Sequence, residues 1–361
     1  MFDIDAERFA ALLCDWCLEP APGQQVLITT TTLALPLVRQ LHREILARQA
    51  WPLLRLGPPW IAEAFYAQAS DEQLDSFPPL ELIEAQQADA SLRIDAPADV
   101  HPLAAIDPAR MARAARARAP IREARLAHRW CGTLWPTPAL AQQAAMDEED
   151  FARLVSNALF LDRSSPVAAW RELSSQQAEL VERLERTGEI RIETDGTDLR
   201  LSVAGRTWIN SDGRRNMPSG EVFTGPHEDS ASGTIRFTVP SSPPGVDVSG
   251  VELTFTAGEV VAATAERGQS YLEAALDTDS GARRLGELGI GTNAGIDRPT
   301  GSILLDEKIA GTVHLALGRS YPETGGKNSS ALHWDLICDL RQGGRLTADG
   351  EALIENGRVL Q

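Results

Sequence analysis

Residues 25–56 read QVLITTTTLALPLVRQLHREILARQAWPLLRL, and the order of textures in this stretch decides the first half of the chain. Gln25 to Thr32 is a β-rich run. From Leu33 to Arg48 the apolar residues recur at helical spacing, and Trp51 to Leu56 is β-rich again. A strand that passes through a helix into a second strand is the unit of a parallel sheet with helices on its faces. Reading outward, an amphipathic helix over Asp5 to Leu18 precedes this unit. Beyond Pro78-Pro79 a third strand is predicted over Ala90 to Ile94, and a fourth strand candidate lies at Trp130 to Trp135. Helical patterns follow at Asp147 to Leu159 and Ser165 to Arg186. The expectation is an α/β N-terminal domain, residues 1–186, with a mostly parallel sheet. No glycine-rich phosphate fingerprint follows any of these strands, so the sheet reads as scaffold rather than nucleotide site.

From Glu189 the texture turns to β. Glu189 to Thr194 and Leu199 to Val203 flank Asp195-Gly196-Thr197 as a hairpin, and Gly233 to Val239, Val251 to Thr256 and Val260 to Ala265 alternate with period two. One helix is predicted, Ser270 to Leu288. Turns at Gly343-Gly344, Asp349-Gly350 and Asn356-Gly357 divide the C-terminal end into short strands. Residues 187–361 are therefore expected to form an α+β, sheet-dominated C-terminal domain. The glycines of Gly286 to Gly291 follow a helix-like segment rather than a strand, which argues against a dinucleotide site there.

Composition narrows the function. A net charge of −17 and a pI near 4.8 oppose binding to nucleic acid, whose phosphates require clustered Lys and Arg. No apolar run approaches the ~20 residues that cross a bilayer, so no membrane partner is expected. The N-terminus carries Asp3, Asp5 and Glu7, the reverse of a secretory leader, and a cytoplasmic location is expected. Four cysteines make no disulfide framework; Cys14 and Cys17 have the spacing of a zinc half-site but lie on a helical apolar pattern. Arg110, Arg113, Arg116, Arg118, Arg122 and Arg125 crowd an Ala-rich stretch expected to be helical up to Pro120. A solvated helix face, an anion site and a subunit contact all remain open for it.

Histidine is scarce, six in the chain, yet Glu307, His314, Tyr321, His333 and Asp335 share one short window. In the strand pattern Gly311 to Gly318, Thr312, His314 and Ala316 take one face while Val313, Leu315 and Leu317 take the other. In Ala331 to Ile337 the same rule aims His333 and Asp335 together, with Trp334 and Leu336 behind them. A lone strand histidine is commonly a hydrogen-bonded core residue, and an isolated aspartate needs no function. Together they offer imidazole and carboxylate ligands without thiolate, a mixture suited to Zn²⁺, Co²⁺ or Mn²⁺. His227, in a loop, is expected to hydrogen-bond the backbone; Arg214 and Arg215 read as surface charges. Lys308 is either a solvated charge or a counter-ion of the carboxylates.

The strings NMPSGEVFTGPHED (216–229), GELGIGTN (286–293) and LDEKIAGTVHLALGRSYPETGGKNSSALHWDLICDL (305–340) strongly resemble the metallo-aminopeptidases typified by aminopeptidase T and aminopeptidase S. The resemblance is close over the C-terminal half and extends to length and α/β layout in the N-terminal half. It implies a homodimeric exopeptidase that releases N-terminal amino acids from peptide substrates with two adjacent divalent ions, zinc, cobalt, manganese or magnesium. The implied metal ligands are Glu221, Glu287, His314, His333 and Asp335, with Tyr321 beside the metals. Glu307 stands at a position the family uses, as ligand or as acid/base.

Two ions about 3.5–4 Å apart need a bridging carboxylate, polarise a carbonyl and bring the pKa of water toward neutrality. A nearby carboxylate must then move the proton to the leaving amine, for which Glu221 and Glu307 are the candidates, and Tyr321 could donate a hydrogen bond to the oxyanion. Two other readings keep the ligands but change the function: hydrolysis of another amide, or a non-catalytic module locked by a structural metal.

Overall fold

The computed structural model describes residues 4–241, 243 and 246–360. They divide into two compact units, Met1–Ala169 with Gly213–Pro218 and Trp170–Asp212 with Ser219–Gln361. The strands in chain order begin with β1 Gln25–Thr31, β2 Trp51–Gly57, β3 Ala90–Asp95 and β4 Arg129–Leu134. β5 Glu189–Thr194, β6 Thr197–Ser202, β7 Ile209–Ser211, β8 Asn216–Met217 and β9 Glu221–Thr224 follow. Then come β10 Ser232–Arg236, β11 Glu252–Thr256, β12 Glu259–Thr264, β13 Leu285–Gly291 and β14 Thr312–Gly318. The last are β15 His333–Asp339, β16 Arg345–Ala348, β17 Glu351–Glu355 and β18 Arg358–Val359.

The first unit is an α/β layer structure whose sheet, in the order β2-β1-β3-β4-β8, is parallel at every pairing. Its N-terminal helix, Ala6–Leu12, starts where the Asp5 side chain accepts from the Arg8 backbone N–H at 2.9 Å. The run continues as a π-helical turn, Leu13–Leu18, that buries Cys14 and Cys17. Burial pushes the Cys14 thiol up to about 12, and all four cysteines are free, so the CxxC spacing belongs to a packed helix face. Helix Leu35–Ala47 buries Leu37, Val38, Leu41 and Ile45, one stripe of a 3.6-residue period. Pro120 does not end the arginine-rich helix as expected. Helix Pro108–Ala117 stops before it, and Pro120 instead opens a second helix, Ala119–Leu126, in the first turn where a missing N–H costs nothing.

The second unit holds two antiparallel sheets, one of eight strands (β12-β11-β10-β6-β5-β16-β17-β18) and one of five (β15-β14-β13-β9-β7). A single core joins them: Ile190, Ile192, Leu199, Leu201, Leu253 and Phe255 from the larger sheet meet Val222, Leu288, Ile290, Val313, Leu315 and Leu336 from the smaller. Strict alternation puts these residues on one face of the small sheet and frees the other face for different chemistry. The β5–β6 hairpin turns at Asp195-Gly196, with φ of 70° at Gly196. The helix expected over Ser270 to Leu288 is corrected: it spans only Gln269–Leu276, and Leu285–Gly291 is β13. A short run buried on both faces lacks the alternation that separates strand from helix. Its three glycines, poor helix formers, were the available signal.

Phe255 is 1% exposed at the centre of this shared core. Phe255→Ala is expected to destabilise the unit by about 3–5 kcal/mol, read as a lower denaturant midpoint in intrinsic fluorescence; a midpoint unchanged from wild type would contradict the packing described.

Candidate active site

The free face of the five-stranded sheet carries the acids and imidazoles singled out in the sequence. Register sets them in cross-strand rows. Phe223, Gly289 and His314 align across β9, β13 and β14, and Glu287, Ala316 and Asp335 align across β13, β14 and β15. His314 is fully buried, and its ring lies over Gly289: a Cβ there would stand 2.0 Å from Nε2. Only because β13 has no side chain at that point does the imidazole reach across it to the acids beyond. Nε2 is 3.2 Å from Glu221 Oε2 and 3.3 Å from Glu287 Oε1.

His333 and Asp335, two residues apart on β15, point the same way, with Nε2 3.5 Å from Asp335 Oδ2 and 3.7 Å from Glu287 Oε2. The other ring nitrogen, Nδ1, is 2.9 Å from the Arg319 carbonyl. A carbonyl only accepts, so Nδ1 carries a proton and Nε2 is the ring nitrogen turned to the cluster, an orientation held in the way that outer-shell hydrogen bonds hold metal-binding histidines. Tyr321 packs edge-on against His333 and Phe223, with centroids 5.2 and 5.7 Å apart. All seven residues singled out, Glu221, Glu287, Glu307, His314, Tyr321, His333 and Asp335, therefore fall in one neighbourhood.

Glu307 arrives from a different element. Helix Ile303–Asp306 is a single turn, and Glu307 is its C-cap. Asp306 anchors the turn by accepting from Thr300 N–H and O–H, each at 2.7 Å, and from Gly301 N–H at 2.8 Å. The segment is not extended, so Glu307 and Lys308 do not point apart. The fully buried Lys308 ammonium donates to Glu221 Oε1 at 2.6 Å and also to Glu307, which makes it the counter-ion rather than a solvated charge. Sequence reasoning left Lys308 open and missed Gly289 and Asn293. Asn293 holds the segment in place, its backbone pairing with Lys308 O and Ala310 N and its amide donating to Ser219 O. Outside the cluster, His227 Nε2 is 2.9 Å from the Ala204 carbonyl, as expected of a loop histidine. Arg214 stacks on Trp16 and pairs with Glu19.

The donor set fits a divalent cation. Glu221, Glu307 and His314 offer ligand atoms within 4.8 Å of one another, and so do Glu287, His314 and Asp335. Glu221 Oε2, His314 Nδ1 and Asp335 Oδ1 are buried without a hydrogen-bond partner. Such orphaned atoms are costly unless something binds them. Four carboxylates face one ammonium. Burial raises Glu221 to about 7, with Lys308 opposing and Glu307 adding. Burial, then Glu307 and Glu287, raise Asp335 to about 7. For His314 burial disfavours the charge, but Glu287, Glu221 and Glu307 outweigh it and carry the pKa up to about 9. Glu307 alone moves down, burial being overcome by Lys308 and His314.

Buried carboxylates and imidazoles without thiolates, meeting on a rigid sheet, define the class of metal-dependent hydrolytic sites. Comparison with known proteins narrows the class. The profile of the thermophilic metalloprotease family (M29) matches residues 2–359, and the chain belongs to that family. It is 32% identical to aminopeptidase 2 of Geobacillus stearothermophilus, over 96% of this chain and 95% of that one. To aminopeptidase T of Thermus thermophilus it is 29% identical, over 99% and 96%. The structure of wild-type AmpT from Thermus thermophilus superposes with a TM-score of 0.85 at 28% identity, covering 99% of both chains. The α/β unit with its parallel sheet and the sheet-rich unit are thus the architecture of this family, and the chain is a metallopeptidase.

Two predictions follow from the geometry. Gly289→Ala is expected to displace the His314 ring and weaken Mn²⁺ affinity by roughly 10–100-fold, the scale seen when a ligand loses its support, with an unchanged far-UV circular dichroism spectrum. Unaltered affinity would mean that His314 needs no opening in β13. The second concerns pH. Glu221, Asp335 and His314 hold protons more tightly folded than unfolded. Their contribution to stability is complete below their ordinary values of 4.5, 3.8 and 6.5, and is lost as pH climbs toward 7 for the acids and 9 for the imidazole. A cation replaces those protons. The rise in melting temperature on adding Mn²⁺ to chelator-treated protein should therefore be larger at pH 8 than at pH 6 by calorimetry; an equal rise would remove these groups from the ion site.

Proposed function

We propose that the chain is an aminopeptidase that removes N-terminal amino acids from peptides, using water activated at a pair of divalent ions held by Glu221, Glu287, His314, His333 and Asp335. The observation that carries this reading is the pair of overlapping triads, Glu221/Glu307/His314 and Glu287/His314/Asp335. One neutral imidazole nitrogen gives its lone pair to one ion, so filling both triads requires a carboxylate that reaches across. The charge supports two ions as well: once His314 yields its proton to a cation, only Lys308 opposes four carboxylates, and the remainder exceeds what one divalent cation neutralises. When bound, the ions polarise the scissile carbonyl and acidify water; zinc, cobalt, manganese and magnesium all suit oxygen and imidazole donors to different degrees.

The chain's own residues supply the proton path. Glu221 has one oxygen on Lys308 and the other facing His314, and acts as a ligand. Glu307 is held through one oxygen by Lys308, and its depressed pKa keeps it ionised. It accepts a proton from the attacking water and delivers it to the departing amine. Tyr321 stays neutral because burial, Glu287 and Asp335 raise its pKa, so the phenol can donate to the tetrahedral oxyanion.

Homodimerisation is supported by β2, an edge strand paired with β1 on one side only, on which Trp51, Leu54 and Leu56 are exposed. A cytoplasmic home is supported by four free cysteines. Among the described residues no helix is long and apolar enough to cross a membrane.

Hydrolysis of leucyl p-nitroanilide is expected to stop on chelation and return with Co²⁺ or Zn²⁺. Glu307→Gln should lower kcat by about 10²–10⁴ while elemental analysis still finds two ions per chain; Glu221→Gln should lose metal. One ion per active chain, or a fully active Glu307→Gln protein, would overturn the mechanism.

A further inference from the structure

The arginines of residues 110–125 are not absorbed by the peptidase reading; apart from Arg116, which acts on Asp75 and lies outside the cavity lining, they fall into two groups. Arg110 donates to the carbonyls of Tyr66 and Ala69, Arg113 pairs with Asp71 and Asp75, and Arg118 pairs with Glu81. These are tied down. The side chains of Arg122 and Arg125, together with that of Arg93 from β3, make no hydrogen bond or ion pair among the described residues, and Arg125 Nε is buried without a partner.

Arg93, Arg118, Arg122 and Arg125 line one cavity of about 470 Å³ within the α/β unit. Its floor is a sheet face. Ser91 stands opposite Trp130 and Arg93 opposite Gly132 in the β3–β4 register, and Thr29 of β1 continues the row beside Arg93. Its wall is helix Ala119–Leu126, with Glu81 from helix Pro79–Gln87. Where helices cover a parallel sheet, the covered face is ordinarily a continuous aliphatic surface. Here it offers serine, arginine, threonine and glycine, and the gap beneath the helix is not closed by packing.

Four guanidinium groups line the cavity with one carboxylate, Glu81; Glu84, engaged with Arg55 at 2.7 Å, and Asp95, two residues from Arg93 on β3, lie outside the lining and offset part of that charge. Burial, together with Arg93 and Arg118 and against Glu81, holds Arg125 below the usual arginine range. In a chain of net charge −17 this is a local inversion of sign. We propose that the cavity binds a small phosphate-bearing polyanion, its oxygens forked by Arg93, Arg122 and Arg125 and its organic body against Trp130 and Leu126. Planar guanidinium forks match phosphate oxygens in pairs. The three cations without an ion pair also exceed what a single carboxylate would balance.

The test is calorimetric titration of the full-length protein with inorganic pyrophosphate, ADP and citrate, at low and physiological salt. Pyrophosphate and ADP are expected to bind one per chain, more weakly as salt rises, and the Arg93→Met/Arg122→Met double variant to bind them at least about tenfold less tightly. That variant should keep wild-type leucyl anilide hydrolysis and melting temperature. Binding that persists undiminished in the double variant resides elsewhere, the cation site included, and overturns the proposal. Citrate binding as tightly as pyrophosphate overturns the assignment to phosphate. A double variant that changes oligomeric state in light scattering, with no ligand effect, assigns the arginines to a subunit contact instead.

Discussion

Four carboxylates crowded on one face of the five-stranded sheet, with only Lys308 and the imidazoles to oppose them, are the constraint around which the β-rich unit is built. Carboxylates brought this close repel one another, and the repulsion grows as water is excluded. Something rigid must hold them together. The core shared by the eight- and five-stranded sheets supplies that rigidity, because each of these strands is fixed from behind by an aliphatic residue one position away: Val222 behind Glu221, Leu288 behind Glu287, Leu315 behind His314, Leu336 behind Asp335. The side chains at the site inherit their positions from packing on the opposite face, which is how a strand scaffold sets ligands more accurately than loops do.

Space is the second requirement. A row of ligands on adjacent strands needs room between strands about 4.8 Å apart, and the chain makes that room by omission. Gly289 lets an imidazole lie flat across β13, and Ala316 separates Glu287 from Asp335 in the neighbouring row. The same segment shows glycine used for backbone approach: a Cβ at Gly291 would stand 2.1 Å from the Ile309 carbonyl, closing the path by which residues 305–310 reach the site.

Much of the fold was legible because it is periodic. The Leu37–Ile45 stripe reports a half-buried helix, and in Gly311 to Gly318 the alternation of Thr312, His314 and Ala316 with Val313, Leu315 and Leu317 reports a strand although both its faces are buried; each appears within a residue or two of its expected bounds. The helix drawn over Ser270 to Leu288 failed where periodicity fails, in a strand buried on both sides. Within the site, His314, His333 and Asp335 could be read from scarcity of histidine and strand alternation alone. Glu221 and Glu287 could not: each is an isolated acid on a separate strand, and only tertiary pairing brings them to the imidazoles, so they came from the family resemblance. Lys308 was ambiguous for a related reason. Whether a lysine beside a glutamate is wet or buried depends on the short turn at Ile303–Asp306, which carries no sequence period.

Lys308 also bears on how the acids are held together. An ammonium lodged permanently between Glu221 and Glu307 cancels part of the charge without any ion from outside. Part of the acidic charge at the site is therefore balanced by the chain itself. Small domains that acquire shape only on metal capture have no such internal counter-ion; here an ammonium covalently part of the chain relieves some of the repulsion between Glu221 and Glu307.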